Sequence, residues 1–435
     1  MTSSSQIPDN ERRVAWRLSQ LLILGALFVL VSSFWNTEDS EQTLEVNPPV
    51  TSESSTTTAA ADEVNEPDDV RSFTFAASGE ILVHEFVANA AYFDRLYSGE
   101  YLYHWRFKYM FDFVEEVLGS ADLAICHLET PLNGLRDGIR DFDPGHSYYP
   151  NFNVPHEIAD AISYAGYDGC SVASNHSLDV GVEGVENTLE NLDRVGVQAV
   201  GMSTTPIETP GSFFNAGGIS VAHLSVTDTL NNASLPTDPI WLVSHLDIDR
   251  IISDAQSTRT NGAEFVIVSV HWGEEYISEL STHQQQTIRA LLDSEHIDLV
   301  IGHGTHVPQS IMIHNEKYAV AGLGNFLSNQ PGDERRRCNE CPPATQDGMI
   351  LWLEIEENKE GKIIVAEASY YPTFVDRTNY EIVLVDFPNG EPFTRNALGS
   401  SFTPQANAET LSASAERTAS VVEPLLTKAT SLPSD

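Results

Sequence analysis

Short apolar runs alternate with segments of helical spacing along the chain from residue 73 onward. Each run holds five or six residues between polar or glycine positions, which is typical of buried strands. The runs are Phe73–Ala77, Leu123–Leu128, Asp168–Ala173, Phe265–Val270, Ile297–Ile301 and Tyr318–Leu323. Helical spacing occurs at Tyr109–Leu118, His156–Ala165, Gly184–Val195 and Gln284–Leu292. This alternation predicts one α/β domain of roughly three hundred residues.

The end of this domain is predicted to be an antiparallel hairpin. Met349–Leu353 and Lys362–Ala366 are strand-like runs that a polar stretch joins. From Leu398 onward the composition changes to Ser, Thr and Ala. We therefore place the domain at 71–395 and predict a disordered tail at 396–435, although a few apolar residues near its end could dock weakly.

A second apolar pattern lies near the N-terminus. Leu18–Trp35 is just long enough to span a bilayer as one helix. Arg12, Arg13 and Arg17 precede it, and no Lys or Arg follows before Arg71. Because basic residues stay on the cytoplasmic side, we expect a single-pass protein of the cell membrane with residues 1–17 in the cytoplasm and the main domain outside the cell. A cleaved signal peptide is the alternative.

The segment between the apolar stretch and the domain carries little to bury. Residues 36–70 are rich in Ser, Thr, Pro and acidic side chains and contain no basic residue. Such a composition predicts a disordered, self-repelling tether.

The whole chain is strongly acidic, with 63 Asp and Glu against 23 Lys and Arg and a formal net charge of −40. Nucleic acid is not expected as a partner, because phosphate binding needs clustered basic residues. The acidity instead indicates a highly solvated surface. Arg335–Arg337 stands out as a basic run and either binds carboxylates or phosphates of a polymer or is an ordinary solvated loop.

Four cysteines fit an exported protein. Cys126 and Cys170 lie in apolar runs and are predicted to be buried thiols. Cys338 and Cys341 form a C-x-x-C motif in a polar loop, where a local disulfide is expected outside the cell. The same pair would supply only half of a zinc site.

Polar residues with metal-binding side chains directly follow the predicted strands. Strand ends of open α/β sheets converge on a crevice where ligands and metals bind. Imidazole, carboxylate and amide oxygen together suit hard or borderline divalent cations. Two such ions a few ångströms apart serve phosphoryl or related hydrolytic chemistry. In chain order the residues are Glu80, Glu129, Asn175, His176, His271, His303 and His306.

The order of these residues resembles that of the ligands in calcineurin-like metallophosphoesterases. More closely, the chain resembles the CapA family of capsule and poly-γ-glutamate synthesis proteins. The resemblance covers roughly residues 73–375. The matching segments are Ser78–His84, His127–Pro131, Ala173–Asp179, Val270–Tyr276, Gly302–Val307 and Gly322–Phe326.

The resemblance implies a four-layer α/β sandwich, with two sheets flanked by helices and a divalent-metal centre at the strand ends. It implies two ions, of Mn, Zn or Fe. The implied metal ligands are Glu80, Glu129, Asn175, His271, His303 and His306. His176 would be the general acid that protonates a leaving oxygen, and Asp179 would orient it.

Two residues depart from the family pattern. Glu80 stands where the family usually has aspartate, and its extra methylene displaces the carboxylate. Gly304 replaces the second of two adjacent histidines, which removes one imidazole. His84 and His127 lie near the site in sequence and either compensate for that loss or are hydrogen-bonded histidines at strand ends.

Two functions are consistent with this pattern. The first is a metal-dependent hydrolase or transferase that acts on an anionic polymer, poly-γ-glutamate or capsular polysaccharide, or on a phosphorylated intermediate. The second is a non-catalytic component of a capsule synthesis or export complex, in contact with other subunits of that complex. A general extracellular metallophosphoesterase differs from the first only in its substrate.

The predicted topology has a direct test. Protease added outside intact cells should cut between Asn36 and Val70 and release a soluble domain, because the tether is expected to be exposed and unstructured. Immunoblotting of medium and membranes would detect the release, with a cytoplasmic protein as the control for lysis. Cutting that occurs only after lysis would reverse the topology.

Overall fold

Seventeen strands and seven α-helices make up the described part of the chain. The computed structural model describes residues 70–97, 100–134, 146–206, 210–231, 242–272, 274–332, 338–385, 406–423 and 425–433. The predicted segments 1–17 and 18–35, the tether except for residue 70, and the run 335–337 lie outside these residues. Within them, no helix has both the length and the apolar character that crossing a membrane requires.

The strands and helices are numbered here in chain order. The strands are β1 (Ser72–Ile81), β2 (Tyr92–Tyr97), β3 (Glu100–Trp105), β4 (Leu123–Leu128), β5 (Gly169–Ser171), β6 (Gln198–Val200), β7 (Ser212–Ala216), β8 (Ile219–Thr227), β9 (Phe265–His271), β10 (Leu299–His303), β11 (Ile311–His314), β12 (Lys317–Val320), β13 (Asn325–Leu327), β14 (Asp347–Glu357), β15 (Ile363–Asp376), β16 (Glu381–Leu384) and β17 (Thr427–Lys428). The helices are α1 (Glu85–Ala91), α2 (Glu115–Gly119), α3 (Ile158–Tyr164), α4 (Gly181–Arg194), α5 (Ile248–Thr260), α6 (Thr282–Asp293) and α7 (Ala408–Val422). Two 3₁₀ turns lie at Lys108–Phe111 and Pro343–Gln346.

The strands form two large sheets and one small ribbon. The first sheet has the order β16-β15-β14-β1-β4-β5-β6, with β13 also beside β1 and β17 beside β15. Its strands β1, β4, β5 and β6 are parallel, and β14 and β15 form the predicted antiparallel hairpin. The second sheet has the order β11-β12-β10-β9-β8-β7, in which the four inner strands are parallel. β2 and β3 pair with each other.

The core lies between the two sheets and is made by alternate residues of their strands. Phe73 and Phe75 of β1 belong to the same apolar cluster as Phe265 of β9. The neighbouring residues point the other way, since side chains alternate along a strand. Ala76 packs with residues of α1 to α4, and Val266 packs with residues of α5 and α6. The predicted α/β sandwich of four layers, helices on the outside and two sheets inside, is therefore confirmed.

The prediction of a disordered tail at 396–435 is wrong for its described part, which contains α7 and β17. The Asn407 side chain caps α7 by accepting a hydrogen bond from a backbone amide of the first turn. Leu411, Ala415 and Val422 recur at helical spacing and are buried. The stripe is narrow, so the Ser, Thr and Ala content of the segment obscured it.

The prediction that Cys126 and Cys170 are separate thiols is also wrong. Both are buried, but they are register partners on the adjacent strands β4 and β5, with Cα atoms 4.4 Å apart. The structure joins them as a disulfide. It also joins Cys338 to Cys341, and no described cysteine is free.

Arg417 fastens α7 to the first sheet. Its Nε and Nη2 atoms donate to the two carboxylate oxygens of Asp347, over 2.6 and 2.7 Å. The Asp347 side chain is fully buried at the start of β14. Without Arg417 this carboxylate would have to be buried with no cation beside it.

We expect Arg417→Met to lower the free energy of unfolding by about 3 kcal/mol, because breaking a buried ion pair strands the remaining charge. Urea unfolding of the full chain measures the change. Arg194→Met is the matched control, since Arg194 pairs with Asp160 in a more exposed position. That variant should lose less than about 1 kcal/mol. Equal losses for the two variants would show that the Asp347 pair does not hold α7.

Candidate metal centre at the strand ends

The register of the parallel strands brings the candidate residues to one edge of each sheet. Glu80 at the end of β1 lies opposite His127 of β4. His303 at the end of β10 lies opposite His271 of β9. Parallel strands end at the same edge, so carboxylate and imidazole groups far apart in sequence become neighbours.

Glu129 is the central carboxylate of the site. It directly follows β4, its side chain is fully buried, and neither carboxylate oxygen has a hydrogen-bond partner. Its Oε1 atom lies 4.0 Å from Nε2 of His176 and 4.0 Å from Nε2 of His306. Burial, together with the nearby charge of Glu80, raises the pKa of Glu129 well above its usual range.

Glu80 connects the two sheets. Its Oε1 atom accepts a hydrogen bond of 2.6 Å from the backbone amide of Gly304, which follows β10. Its Oε2 atom is buried without a partner. Gly304 has a φ of +89°, and a Cβ atom there would lie 2.5 Å from the carbonyl oxygen of Trp272 and 2.8 Å from the ring of His271. The position therefore has no room for an imidazole side chain.

His176 is held in a fixed orientation. Its Nδ1 atom lies 2.6 Å from Oδ2 of Asp179, which also accepts a 2.7 Å bond from the backbone amide of Phe152. The Phe152 ring packs edge-on against the imidazole, with centroids 4.7 Å apart. Because a carboxylate faces Nδ1, that nitrogen carries a proton, and Nε2 is the atom directed toward Glu129 and the Asn231 amide.

A chain of amides orients His306. Its Nδ1 atom donates to Oδ1 of Asn325 over 3.1 Å, which leaves Nε2 directed toward Glu129. The Asn325 amide nitrogen donates to the side chain of Gln330, whose own amide nitrogen donates to the hydroxyl of Tyr276. The Tyr276 ring lies 5.8 Å from the His306 ring. These contacts fix both the rotamer and the tautomer of His306.

The remaining histidines are deeply buried. Burial and neighbouring imidazoles lower the pKa values of His271 and His303 well below their usual range, so both rings are neutral, as metal ligands must be. Nδ1 of His303 and Oδ1 of Asn175 have no hydrogen-bond partner. Burial also lowers the pKa of His84 to about 3, and its Nδ1 accepts a bond from the backbone amide of Asn329.

A cleft of about 830 Å³ opens above these groups. Glu129, Asn175, His176 and His306 line it, whereas Glu80, His271 and His303 do not. The described lining contains no Lys or Arg. Its other members include acidic side chains (Glu85, Glu275, Glu340), aromatic ones (Phe86, Tyr148, Tyr149, Phe152, Tyr276) and Cys338.

The donor atoms suit a divalent cation, although they are not gathered around one point. In the part of the chain that the structure describes, no three His, Cys, Asp or Glu side chains converge closely enough to hold a metal ion. Three candidate ligands are each hydrogen-bonded to protein through one atom, Glu80 to Gly304, His271 to His127 and His306 to Asn325. Unpartnered buried oxygens on Glu80, Glu129 and Asn175, beside neutral imidazoles, nevertheless form the oxygen and nitrogen set that such cations prefer.

Several residues of the site had no predicted role. Asn231 and Phe152 contact His176 but lie in loops whose sequence carries no pattern. Gln330 and Tyr276 belong to the site through the hydrogen bonds that lead to Asn325 and His306, which the sequence does not indicate. Trp272 is buried, with its indole nitrogen bonded to the backbone carbonyl of Ala321.

The buried carboxyl of Glu80 should make the metal-free protein less stable as the pH rises. Burial raises its pKa from 4.5 to about 8, so between these values the native state holds a proton that the unfolded state has lost. The contribution of Glu80 to stability therefore falls from about pH 5 to pH 8, by up to about 1.4 kcal/mol per pH unit.

The measurement is the melting temperature of the chelator-treated chain at several pH values. Glu80→Gln should remove this contribution, so that stability falls less with rising pH than in the wild type, and Glu360→Gln, at an exposed position, should leave the dependence unchanged. A dependence of equal slope in the wild type and Glu80→Gln would contradict the assignment.

The solved structures that align with this chain are only distantly similar to it. The 5'-nucleotidase precursor from Thermus thermophilus has a TM-score of 0.40 and 13% identity, and the alignment covers 72% of this chain and 54% of that chain. The calcineurin-like phosphoesterase YfkN from Bacillus subtilis has a TM-score of 0.40 and 12% identity, with coverage of 81% and 97%. At these values the similarity carries no argument about activity.

Two of the sequence relatives are biosynthesis proteins named CapA. The capsule biosynthesis protein CapA of Bacillus anthracis is 26% identical over 226 residues, which are 51% of this chain and 54% of that protein. The PGA biosynthesis protein CapA of Bacillus subtilis is 25% identical over 303 residues, with coverage of 65% and 72%. The match thus spans about half the length of the Bacillus anthracis protein.

A family comparison covers the domain that carries the site. The sequence model of the family described as "Bacterial capsule synthesis protein PGA_cap" matches residues 74–330, which is more than half of the chain. The matched region includes every candidate ligand from Glu80 to His306. The chain therefore belongs to the PGA_cap family of bacterial capsule synthesis proteins.

Proposed function

We propose that this protein is a metal-dependent hydrolase or transferase in the synthesis or export of an anionic capsular polymer. One observation carries the proposal. Glu80 and Glu129 bury carboxylate oxygens without partners, below a cleft whose described lining has no Lys or Arg. A buried carboxyl group stays ionised at neutral pH only beside a compensating cation, and divalent metal ions would supply it.

Six side chains would hold up to two ions of Mn, Zn or Fe. They are Glu80, Glu129, Asn175, His271, His303 and His306. When bound, the ions would polarise a phosphoryl or carbonyl oxygen and activate a water or hydroxyl nucleophile.

His176 is the proposed general acid. Asp179 holds the Nδ1 proton, so a second proton at Nε2 would lie on the cleft side, beside Glu129 and Asn231. From there it can pass to a leaving oxygen. The packing of Phe152 keeps the ring from turning away.

The substrate is proposed to be an anionic polymer, such as poly-γ-glutamate or a capsular polysaccharide, or a phosphorylated intermediate. Support comes from the name of the Bacillus subtilis relative, a PGA biosynthesis protein. The acidic rim residues Glu85, Glu275 and Glu340 repel anions, so an anionic group would be held only where metal charge offsets them. The cleft volume of about 830 Å³ lies within the range of about 300–1,000 Å³ that is usual for ligand sites.

We further propose that the domain works outside the cell, anchored by residues 18–35 and in contact with other capsule synthesis subunits. The charge asymmetry around that apolar stretch supports this location. The cysteine pairs also support it, because disulfides persist in oxidising compartments.

A non-catalytic role in a capsule complex is the second candidate. It is favoured by the loss of an imidazole at Gly304 and by the absence, among the described residues, of three acidic, histidine or cysteine side chains that already converge. Metal binding and turnover together distinguish the two roles.

The roles of ligand and acid separate by mutation. His303→Ala and Glu129→Ala should lose Mn²⁺, because each deletes a proposed ligand. His176→Ala should keep the metal and lose about 10²–10⁴-fold in turnover, which is typical for removal of a positioned general acid. Metal content is measured on the Mn²⁺-loaded full-length chain, and turnover with bis(p-nitrophenyl) phosphate, p-nitrophenyl phosphate and poly-γ-glutamate.

The control is His314→Ala, which removes a histidine paired with Asp293 on an edge strand of the second sheet. It should match the wild type in both readouts. If the wild type binds no metal, turns over none of the substrates, and all variants support capsule formation equally, the catalytic proposal fails and the scaffold role stands.

A further inference from the structure

His127 contacts two candidate metal ligands although it lines no part of the cleft. It is fully buried on β4. Its Nε2 atom lies 3.0 Å from Nδ1 of His271, and its ring stacks on the ring of His303, with centroids 4.2 Å apart and planes 8° from parallel. On the far side, its Nδ1 atom lies 2.7 Å from the hydroxyl of Ser171 on the adjacent strand.

The hydroxyl of Ser171 has one proton and two acceptors within reach, Nδ1 of His127 at 2.7 Å and the backbone carbonyl of Cys126 at 3.4 Å. The hydrogen-bond chain can therefore run in either of two directions. In one direction the hydroxyl donates to Cys126 and accepts from Nδ1–H of His127. Because the other nitrogen of a neutral imidazole is an acceptor, Nε2 of His127 then accepts from Nδ1–H of His271.

The consequence falls on the far nitrogen of His271. With its proton at Nδ1, its Nε2 atom carries a lone pair, which a metal ion requires. Reversal of the chain would put the proton on Nε2 and prevent coordination. We propose that His127 is a positioning residue that fixes His271 in its metal-binding tautomer, and through the stacked ring holds His303 in place. This inference rests on the metal centre proposed above.

The chain contains a matched pair that lacks this connection. His223 of β8 is also fully buried, and its Nε2 atom lies 2.8 Å from the hydroxyl of Ser269 on the adjacent strand β9. No candidate ligand is hydrogen-bonded to His223 through the atoms that the structure describes, and its Nδ1 has no partner. A general effect of removing a buried His–Ser pair would appear equally at both positions.

The experiment compares His127→Phe, His127→Gln and His223→Phe with the wild type, all as full-length chains. Phenylalanine keeps the volume and the stack on His303 but removes both hydrogen bonds. Glutamine can accept from His271 through its oxygen and donate to Ser171 through its nitrogen. Affinity for Mn²⁺ and Zn²⁺ is measured by competition with a chelator. The histidine tautomers of the metal-free chain are read from ¹⁵N NMR of histidine-labelled protein.

We expect His127→Phe to bind both metals about 10–100-fold more weakly, the usual effect of losing an outer hydrogen bond to a ligand. His127→Gln should stay within a few-fold of the wild type, and His223→Phe should match it. In the metal-free wild type, the His271 signal, assigned by its loss in His271→Gln, should be that of a ring protonated at Nδ1. His127→Phe should remove this preference.

Wild-type metal affinity in His127→Phe, or an equal loss in His127→Gln, would overturn the positioning role while leaving the metal centre intact. A wild-type His271 ring protonated at Nε2 would also overturn it, and this reading needs no variant to fold. Failure of the wild type to bind either metal would instead overturn the proposed centre itself, and the positioning role with it.

Discussion

The hydrogen bond between Glu80 and the amide of Gly304 is the constraint on which the candidate site depends. Glu80 belongs to the first sheet and Gly304 follows a strand of the second, so the bond joins the two sheets at the edge where their parallel strands end. It also joins Glu80 and Gly304, the two residues that the resemblance to the CapA family predicts to depart from the family pattern. The longer carboxylate reaches the backbone at the residue that has no side chain. The two departures are thus one local arrangement.

Around that bond the candidate site contains buried carboxyl groups and neutral imidazoles, and the described lining of the cleft has no Lys or Arg to compensate the carboxylate charge. Carboxylate oxygens of Glu129 and Glu80 are buried without partners, while His271 and His303 are kept neutral by burial. Hydrogen bonds are instead concentrated one layer further out, where Asp179, Asn325 and His127 hold histidines by their second nitrogen. Hydrogen bonds within the protein therefore orient the histidines, whereas compensation of the carboxylate charge is left to a bound ligand.

The sequence predicted the fold well because its strong signals are periodic. The boundaries of β4 match those of the predicted strand, and the ends of α4 and α6 lie within three residues of the predicted ends. These three segments were predicted well because their apolar positions recur without interruption. The predicted helix at 109–118 is a 3₁₀ turn followed by α2, and the predicted disordered tail holds α7. In both segments the outcome depends on distant partners, such as Asp347 for Arg417, that no local window contains.

The sequence predicted which residues belong to the candidate site, but not the disulfide and the hydrogen bonds that connect residues far apart in the chain. Strand-end residues such as Glu129 and His303 are found from the position of polar residues after apolar runs. The pairing of Cys126 with Cys170 depends on the register of β4 against β5, and the contact of Asn231 with His176 depends on the course of a loop. Neither contact can be inferred from the spacing of residues along the chain.

The ion pair between Asp347 and Arg417 has a consequence for the order in which the chain can be completed. The two residues are 70 positions apart, and the arginine belongs to the last helix that the structure describes. A chain that is made or translocated from its N-terminus presents the buried carboxylate well before its partner emerges. The ion pair of Asp347 can form only once the C-terminal segment is available. A fusion or truncation that removes α7 would therefore leave a nascent domain with an unneutralised charge at the start of β14.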